Sequence, residues 1–451
     1  MSPAAPAKMT YRFLGNSGLL VSKISLGAWM RKDERCTDDT WYDLMTHAFK
    51  CGVNYYDNAE MYMCGESEEI VGRAIQKGIK EGVWSREDLV ISTKICIGTK
   101  EGPNDQGLGR KHIVEGLKAS LKRLQLDYVD VVFCHRPDDF TPIEETVRAM
   151  NYVIEQGWAF YWGTSQWMPA DIQEACEIAD RLGLIRPVVE QPKYNIFDRP
   201  RVEYGFLDLF KKYKLGLTTY SPLGYGVLSG KYTTGTPEGS RFSTEFYNKM
   251  VPDFRDRVIK TFELQKIADE LGCSLAQMSI AWCVSNPNAS TVMLGARSRN
   301  QLDENLEAIN FVDKITPEIK ARIDAAVDYK VQIPEKEALA SQNRVRFAVS
   351  RREAARIVRV AEEEPFQHVV HTSYSIDDLR KAPRLRWLKP RGDAGKSVRW
   401  RARIARMSQA GAAPRASAPI PDAALSDAPP SEIRAPVRRD DALAVDSDHA
   451  A

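Results

Sequence analysis

The chain has 451 residues, 43% of them hydrophobic, with 63 Lys+Arg against 61 Asp+Glu and a formal net charge of +2. Such a length buries a large core and exceeds one typical domain. No run of about eighteen apolar residues occurs, which excludes a transmembrane helix, and the start MSPAAPAKMTYRF lacks the apolar core of a secretion signal.

The eight cysteines contain no CxxC pair and several fall inside apolar runs, as buried thiols do in a reducing cytosol. A cytoplasmic protein is expected. After a leader of residues 1–8, YRFLGNSGLLVSKI reads as two short strands around the turn Asn16–Ser17–Gly18. Apolar, β-rich runs then recur at 22–29, 53–59, 89–95, 128–135, 160–165, 188–195, 215–223 and 290–296. Segments of helical period lie between them, among them DDTWYDLMTHAFKCG, RKHIVEGLKASLKRLQL, PIEETVRAMNYVIEQG and MPADIQEACEIADRLG, several with glycine where a helix C-cap belongs.

Strands alternating with helices through residues 9–330 predict an α/β fold, a (β/α)8 TIM barrel with an N-terminal β-hairpin. The rival is an open doubly wound sheet. That fold would place a Gly-rich nucleotide turn after its first strand, where this chain has AWMRKDERC. Beyond residue 330 the composition shifts to Ala, Pro, Arg and Asp, and residues 331–451 are net basic while the first 330 are net acidic. One stretch, EALASQNRVRFAVSRREAARIVRVAEEE, reads as a helix; the rest reads as a disordered extension unable to bury enough apolar surface.

Four side chains at or just past strand ends then stand out. Asp57 closes GVNYYDNA, Tyr62 follows five residues later, Lys94 ends LVISTK and His135 ends YVDVVFCH. In a barrel, strand ends face one mouth, so these groups converge. A phenol titrates near 10 when free, so the expectation is that Lys94, held by Asp57, lowers the pKa of Tyr62 and makes it a proton donor for carbonyl reduction. His135 would hydrogen-bond and orient the carbonyl. Taken singly, each has a plainer account: a strand-end Asp caps a helix, Tyr or Lys is structural or solvated, and His is a satisfied polar group. No metal is expected, since His47 and His112 lie outside ligand spacing.

The motifs YRFLGNSGLLVSKISLGAW, YYDNAEMY, VISTK, VVFCHRPD, YWGTSQW, EQPKYN, TTYSPLGYGVLSGKY and MLGARSRNQLDENL occur in that order. Through them, residues 9 to about 328 resemble the aldo-keto reductase superfamily, most closely its branch related to the β subunits of voltage-gated potassium channels. The resemblance implies NADPH/NADP+ bound without a Rossmann turn. It places Gly27, Ala28, Trp29 and Asp57 near the nicotinamide, with Ser165, Gln166 and Gln191 on its carboxamide and Tyr220 stacked on its ring. Ser221, Pro222, Leu223, Gly224, Lys231 and Arg241 would follow the pyrophosphate. Gly295, Arg297, Gln301, Glu304 and Asn305 would take the adenine and 2′-phosphate, Arg297 favouring NADPH because a guanidinium fork fits a phosphate. On spacing alone, Gln301, Glu304 and Asn305 are equally one polar face of a helix.

The substrate expected is a small carbonyl compound. Trp29, Met61, Trp167 and Tyr225 suggest an apolar pocket, while the loops 31–36, 97–110 and 240–254 would set specificity. The alternative function is a redox-sensing channel subunit, assembling as a homo-oligomer and as a tetramer if bound to a potassium channel. Animal channel β subunits are described with Asn in place of His135, Arg in place of Gln166 and Trp in place of Tyr220, so the residues here favour catalysis. The tail stretch RLRWLKPRGDAGKSVRWRAR mixes Arg with Trp, but a solvated extension is favoured over nucleic-acid or lipid binding. A metal pair at His368–His371 is weak by itself.

Overall fold

The computed structural model describes residues 9–29 and 37–330. The leader 1–8, the loop 30–36 and the extension 331–451, with its expected helix, its Arg/Trp stretch and the His368–His371 pair, lie outside the described residues.

Every expected apolar run contains a strand. β1 (Tyr11–Phe13) and β2 (Leu20–Ser22) form an antiparallel hairpin, and Ser17 Oγ donates to Leu14 O at 2.7 Å to close its turn. β3 (Ile24–Gly27), β4 (Tyr55–Asp57), β5 (Val90–Ile95), β6 (Val129–Cys134), β7 (Ala159–Ser165), β8 (Val189–Gln191), β9 (Gly216–Thr219) and β10 (Ala289–Leu294) close into one parallel barrel, β10 pairing with β3. Closure excludes the open doubly wound sheet. Several strands are shorter than the apolar runs that announced them: β8 stops at Gln191 although its run reaches residue 195.

The intervening helices form the outer ring. α1 (Asp38–Lys50) starts at Thr37, whose side chain accepts from Thr40 N, and carries Asp38 and Asp39 in its first turn, where the helix dipole favours anions. α2 (Glu66–Lys80), α3 (Arg110–Leu124), α4 (Ile143–Glu155), α5 (Pro169–Leu182) and α6 (Leu207–Tyr213) follow the next strands. α5 opens on Pro169 and ends at Gly183 with φ 65°, whereas α3 ends on Gln125 in the same left-handed conformation. The chain leaves β9 on a long excursion through α7 (Glu245–Met250), α8 (Phe254–Leu271) and α9 (Leu275–Val284), then returns as β10, α10 (Arg299–Leu306) and α11 (Pro317–Ala326).

Alternation along the strands divides the core. Tyr55, Val131, Phe133, Val189 and Met293 fill the barrel interior together with Leu14 and Val21 from the hairpin, which closes the end away from the site. The second layer lies between barrel and helices and includes Ile24, Leu26, Ile91, Val132 and Trp162. Gly15 is required at the hairpin junction: φ is +54° and an added Cβ would lie 2.1 Å from Val188 O. Among the described residues no helix is long and apolar enough to cross a membrane. The described cysteines are unpaired, with Cys134, Cys176 and Cys283 buried.

Candidate active site

Parallel pairing sets Asp57 of β4 opposite Ser92 of β5, so Lys94 lies two residues farther along β5 on the same face. The fully buried Lys94 donates from Nζ to Asp57 Oδ2 at 2.5 Å, to Asn58 O at 2.6 Å and to Tyr62 Oη at 2.9 Å. Those contacts use every ammonium hydrogen. Asp57 is fixed from its other oxygen, which accepts from Ser92 Oγ at 2.7 Å and Gln191 Nε2 at 3.3 Å.

Tyr62 begins a 3-10 turn, Tyr62–Gly65, in which Met63 and Cys64 take positive φ. That contorted turn folds the phenol back over the ammonium, 4.6 Å from Nζ to ring centroid. His135 follows β6 directly and meets the Tyr62 ring edge-on, centroids 5.8 Å apart. The structure therefore brings all four expected side chains together.

Their electrostatics correct one expectation. Burial, the largest influence, raises the Tyr62 pKa above that of a free phenol, and although Lys94 pulls it down, the net direction is up. Sequence reasoning weighed the cation and not the desolvation. The phenol thus keeps its proton at neutral pH, as a donor must, and Lys94 acts on the anion that forms once the proton leaves. Burial pushes Lys94 down as well, but Asp57 and Tyr62 outweigh it and the ammonium is held above its usual value. Burial, then Lys94 and Arg136, holds His135 well below the ordinary range, so the ring is neutral.

Several of the residues expected around a dinucleotide are tied to this site or to one another. Ala28 N donates to Asp57 O at 2.8 Å, tying Gly27, Ala28 and Trp29 to the site. Ser165 Oγ donates to Gln191 O at 3.0 Å. Gln166 has φ 60°, and its amide is held between Tyr220 Oη and Arg201 Nη1, each at 2.5 Å. Beyond Tyr220 the chain takes positive φ at Ser221, Gly224, Tyr225 and Gly226 around Pro222 and Leu223, a contorted loop of the kind surrounding structure must hold in place.

Lys231, Arg241 and Arg297 gather beside it. Burial lowers Lys231 and then Arg241 and Arg297 lower it further; burial and Arg297 likewise lower Arg241. No carboxylate among the described residues pairs with any of them, which leaves a cationic cradle suited to phosphate. The Arg241 guanidinium also lies 5.2 Å from the Trp29 ring centroid. On α10, Gln301 and Glu304 are exposed but Asn305 is buried, so they do not form one solvated polar face. Gly295 has open space where a Cβ would be. Of the expected pocket residues, Trp29 is exposed at the mouth, whereas Trp167 and Tyr225 are buried, Trp167 within the main core.

Sequence reasoning missed Asn58, whose carbonyl takes a Lys94 hydrogen, and Arg201, which orients Gln166. It also missed Glu190. This fully buried carboxyl accepts from Thr164 Oγ1 at 2.5 Å, and burial pushes its pKa from 4.5 up to about 7, opposed by Thr164 and by the backbone N–H groups of Gln166 and Trp167. A raised carboxyl stabilises the fold below its unfolded value and loses that contribution as pH rises through its folded value. The Glu190 contribution to stability therefore falls by roughly 3 kcal/mol between about pH 4.5 and 7. Urea unfolding of wild type and Glu190→Gln at several pH values checks this: the variant should lack that fall, and parallel stability curves would refute it.

Comparison with known proteins agrees with this geometry. A family model described as "Aldo/keto reductase family" matches residues 23–328. A relative from Arabidopsis thaliana, named "Probable voltage-gated potassium channel subunit beta", is 52% identical over 332 residues, covering 72% of this chain and 99% of its own. One of the same name from Oryza sativa subsp. japonica is 51% identical over 327 residues, covering 71% of this chain and 98% of its own.

Proposed function

The chain belongs to the aldo/keto reductase family, and from that premise we propose that it is an NADPH-dependent reductase of aldehydes or ketones. The family supports oxidoreductase chemistry. The observation that carries the finer reading is the Lys94 ammonium, hydrogen-bonded at once to Asp57 and Tyr62 at the barrel mouth. The proposed catalytic unit is the barrel of residues 9–330, flanked by the leader and the extension, in a cytoplasmic protein.

The residues present fit NADPH, because Lys231, Arg241 and Arg297 form a cationic group, half-buried at Arg241 and exposed at Lys231 and Arg297, with no carboxylate partner among the described residues. Bound there, the cofactor would supply hydride to the carbonyl carbon. Ser165, Gln166 and Gln191 would hold the carboxamide, with Tyr220 against the ring and Gly27, Ala28 and Trp29 beside it. Ser221, Pro222, Leu223, Gly224, Lys231 and Arg241 would follow the pyrophosphate, and Gly295, Arg297, Gln301, Glu304 and Asn305 the adenosine end. Tyr62 gives its proton to the carbonyl oxygen and Lys94 stabilises the phenolate left behind. Asp57 keeps Lys94 charged and in place, and the neutral His135 donates a hydrogen bond that orients the carbonyl.

The test is NADPH oxidation with 4-nitrobenzaldehyde or methylglyoxal; NADPH binding without turnover of any carbonyl would sink the reading. Coenzyme preference is a separate prediction. Arg297→Leu should weaken NADPH binding about tenfold to a hundredfold, as loss of a charge-assisted bidentate contact does, with NADH binding little changed. Equal loss for both coenzymes would refute the role of Arg297.

A second reading, a regulatory subunit of a voltage-gated potassium channel, is supported by the names of the two plant relatives. Affinity capture of a channel with this chain in a tetramer would support it. A freely turning-over monomer that captures no channel would oppose it.

A further inference from the structure

We propose that His47, Cys51 and Asp303 form a site for a divalent cation of the zinc class on the outer helical layer. Spacing along the chain hides it, since two ligands come from α1 and the third from α10. His47 and Cys51 are one turn apart on α1, where residues four apart share a face. Cys51 is the helix C-cap, with its own N–H bonded back to Ala48 O and His47 O, so the thiol's position is set by the end of the helix.

The geometry converges on one point. His47 Nε2 lies 2.5 Å from Asp303 Oδ1 and 3.9 Å from Cys51 Sγ, and the ligand atoms all lie within 4.8 Å of one another. Imidazole nitrogen, thiolate sulfur and carboxylate oxygen are the donors zinc takes, at about 2.0–2.3 Å, which puts tetrahedral ligands roughly 3.3–3.8 Å apart. The His47–Cys51 separation of 3.9 Å lies just beyond that range. The His47–Asp303 pair must open by somewhat under ~1 Å, and side chains 25% and 50% exposed have room for it. The nearby guanidinium of Arg299 does not compete for Asp303, because both of its ends are bound to Asp43 of α1. That pair already holds α10 against α1, so the ligands are brought together before the cation arrives. Water would complete the coordination, and the cation would cross-link α1 to α10.

The competing account is a plain His47–Asp303 ion pair with a bystander thiol, and the thiol separates the two. The full-length chain, stripped with chelator, is titrated with Co2+ and then Zn2+. One equivalent of Co2+ should give a thiolate-to-cobalt absorption band that Zn2+ abolishes, and Zn2+ should raise the Tm. Cys51→Ser should lose the band, while His47→Gln and Asp303→Asn should each weaken Zn2+ binding about tenfold or more, with far-UV circular dichroism unchanged. Absence of the band in wild type overturns the proposal. So does a band that survives in Cys51→Ser, because another of the cysteines would then be the ligand.

Discussion

Tyr62→Phe lowers kcat for carbonyl reduction about a thousandfold, within the range expected when a positioned proton donor is removed, while NADPH affinity stays within about twofold. The substitution deletes one oxygen and keeps the ring that packs edge-on against His135, so site and fold persist. Only the proton is lost. The carbonyl oxygen must then take its proton from water, and Lys94 has no phenolate to stabilise. Stopped-flow measurement of NADPH oxidation under single turnover, together with cofactor fluorescence for binding, separates chemistry from affinity. A kcat within tenfold of wild type would remove Tyr62 from the mechanism. The electrostatics add a pH signature. Since burial holds the phenol above its ordinary value despite Lys94, wild-type reduction should show no loss of donor as pH rises through neutrality. A donor ionising near pH 7 would make the rate fall there.

Much of this was legible in the sequence for a geometric reason. Parallel barrel strands end at one rim, so residues at the ends of successive apolar runs converge whatever the loops do. Asp57, Lys94 and His135 could be placed together on that ground, and the closed barrel followed from the alternation. What was not legible depended on how deeply side chains are buried and on which elements become neighbours. The direction of the Tyr62 shift depends on desolvation, which no motif encodes. Glu190 stands next to the expected Gln191, but alternation sends its side chain to the opposite face of β8, away from the mouth and toward Thr164, where a carboxyl is not anticipated. Asn305 reads as part of a solvated face until α10 packs and buries it. His47 and Asp303 are 256 positions apart, and only the packing of α1 on α10 makes them partners.

Lys94→Met should cost more than activity. Asp57 is 3% exposed, and Lys94 is its ion-pair partner at 2.5 Å. Removing that partner leaves a buried carboxylate that keeps only the hydrogen bonds from Ser92 and Gln191, and broken buried pairs of this kind destabilise by about 3–5 kcal/mol. Methionine fills a similar volume, so the loss reflects charge and not a cavity. Reduction should fall at least as far as in Tyr62→Phe, because phenolate stabilisation and the Asn58 and Tyr62 contacts go together. The two effects separate in Lys94→Met/Asp57→Asn. Neutralising the carboxylate removes the uncompensated charge, so most of the stability should return while the activity should not. Urea unfolding and single-turnover rates on the same set of proteins measure both. If the double variant regained turnover, the ammonium would have no part in the chemistry beyond neutralising Asp57. If Lys94→Met were as stable as wild type, the pair would contribute nothing to the fold, and Asp57 would be held by its remaining hydrogen bonds alone.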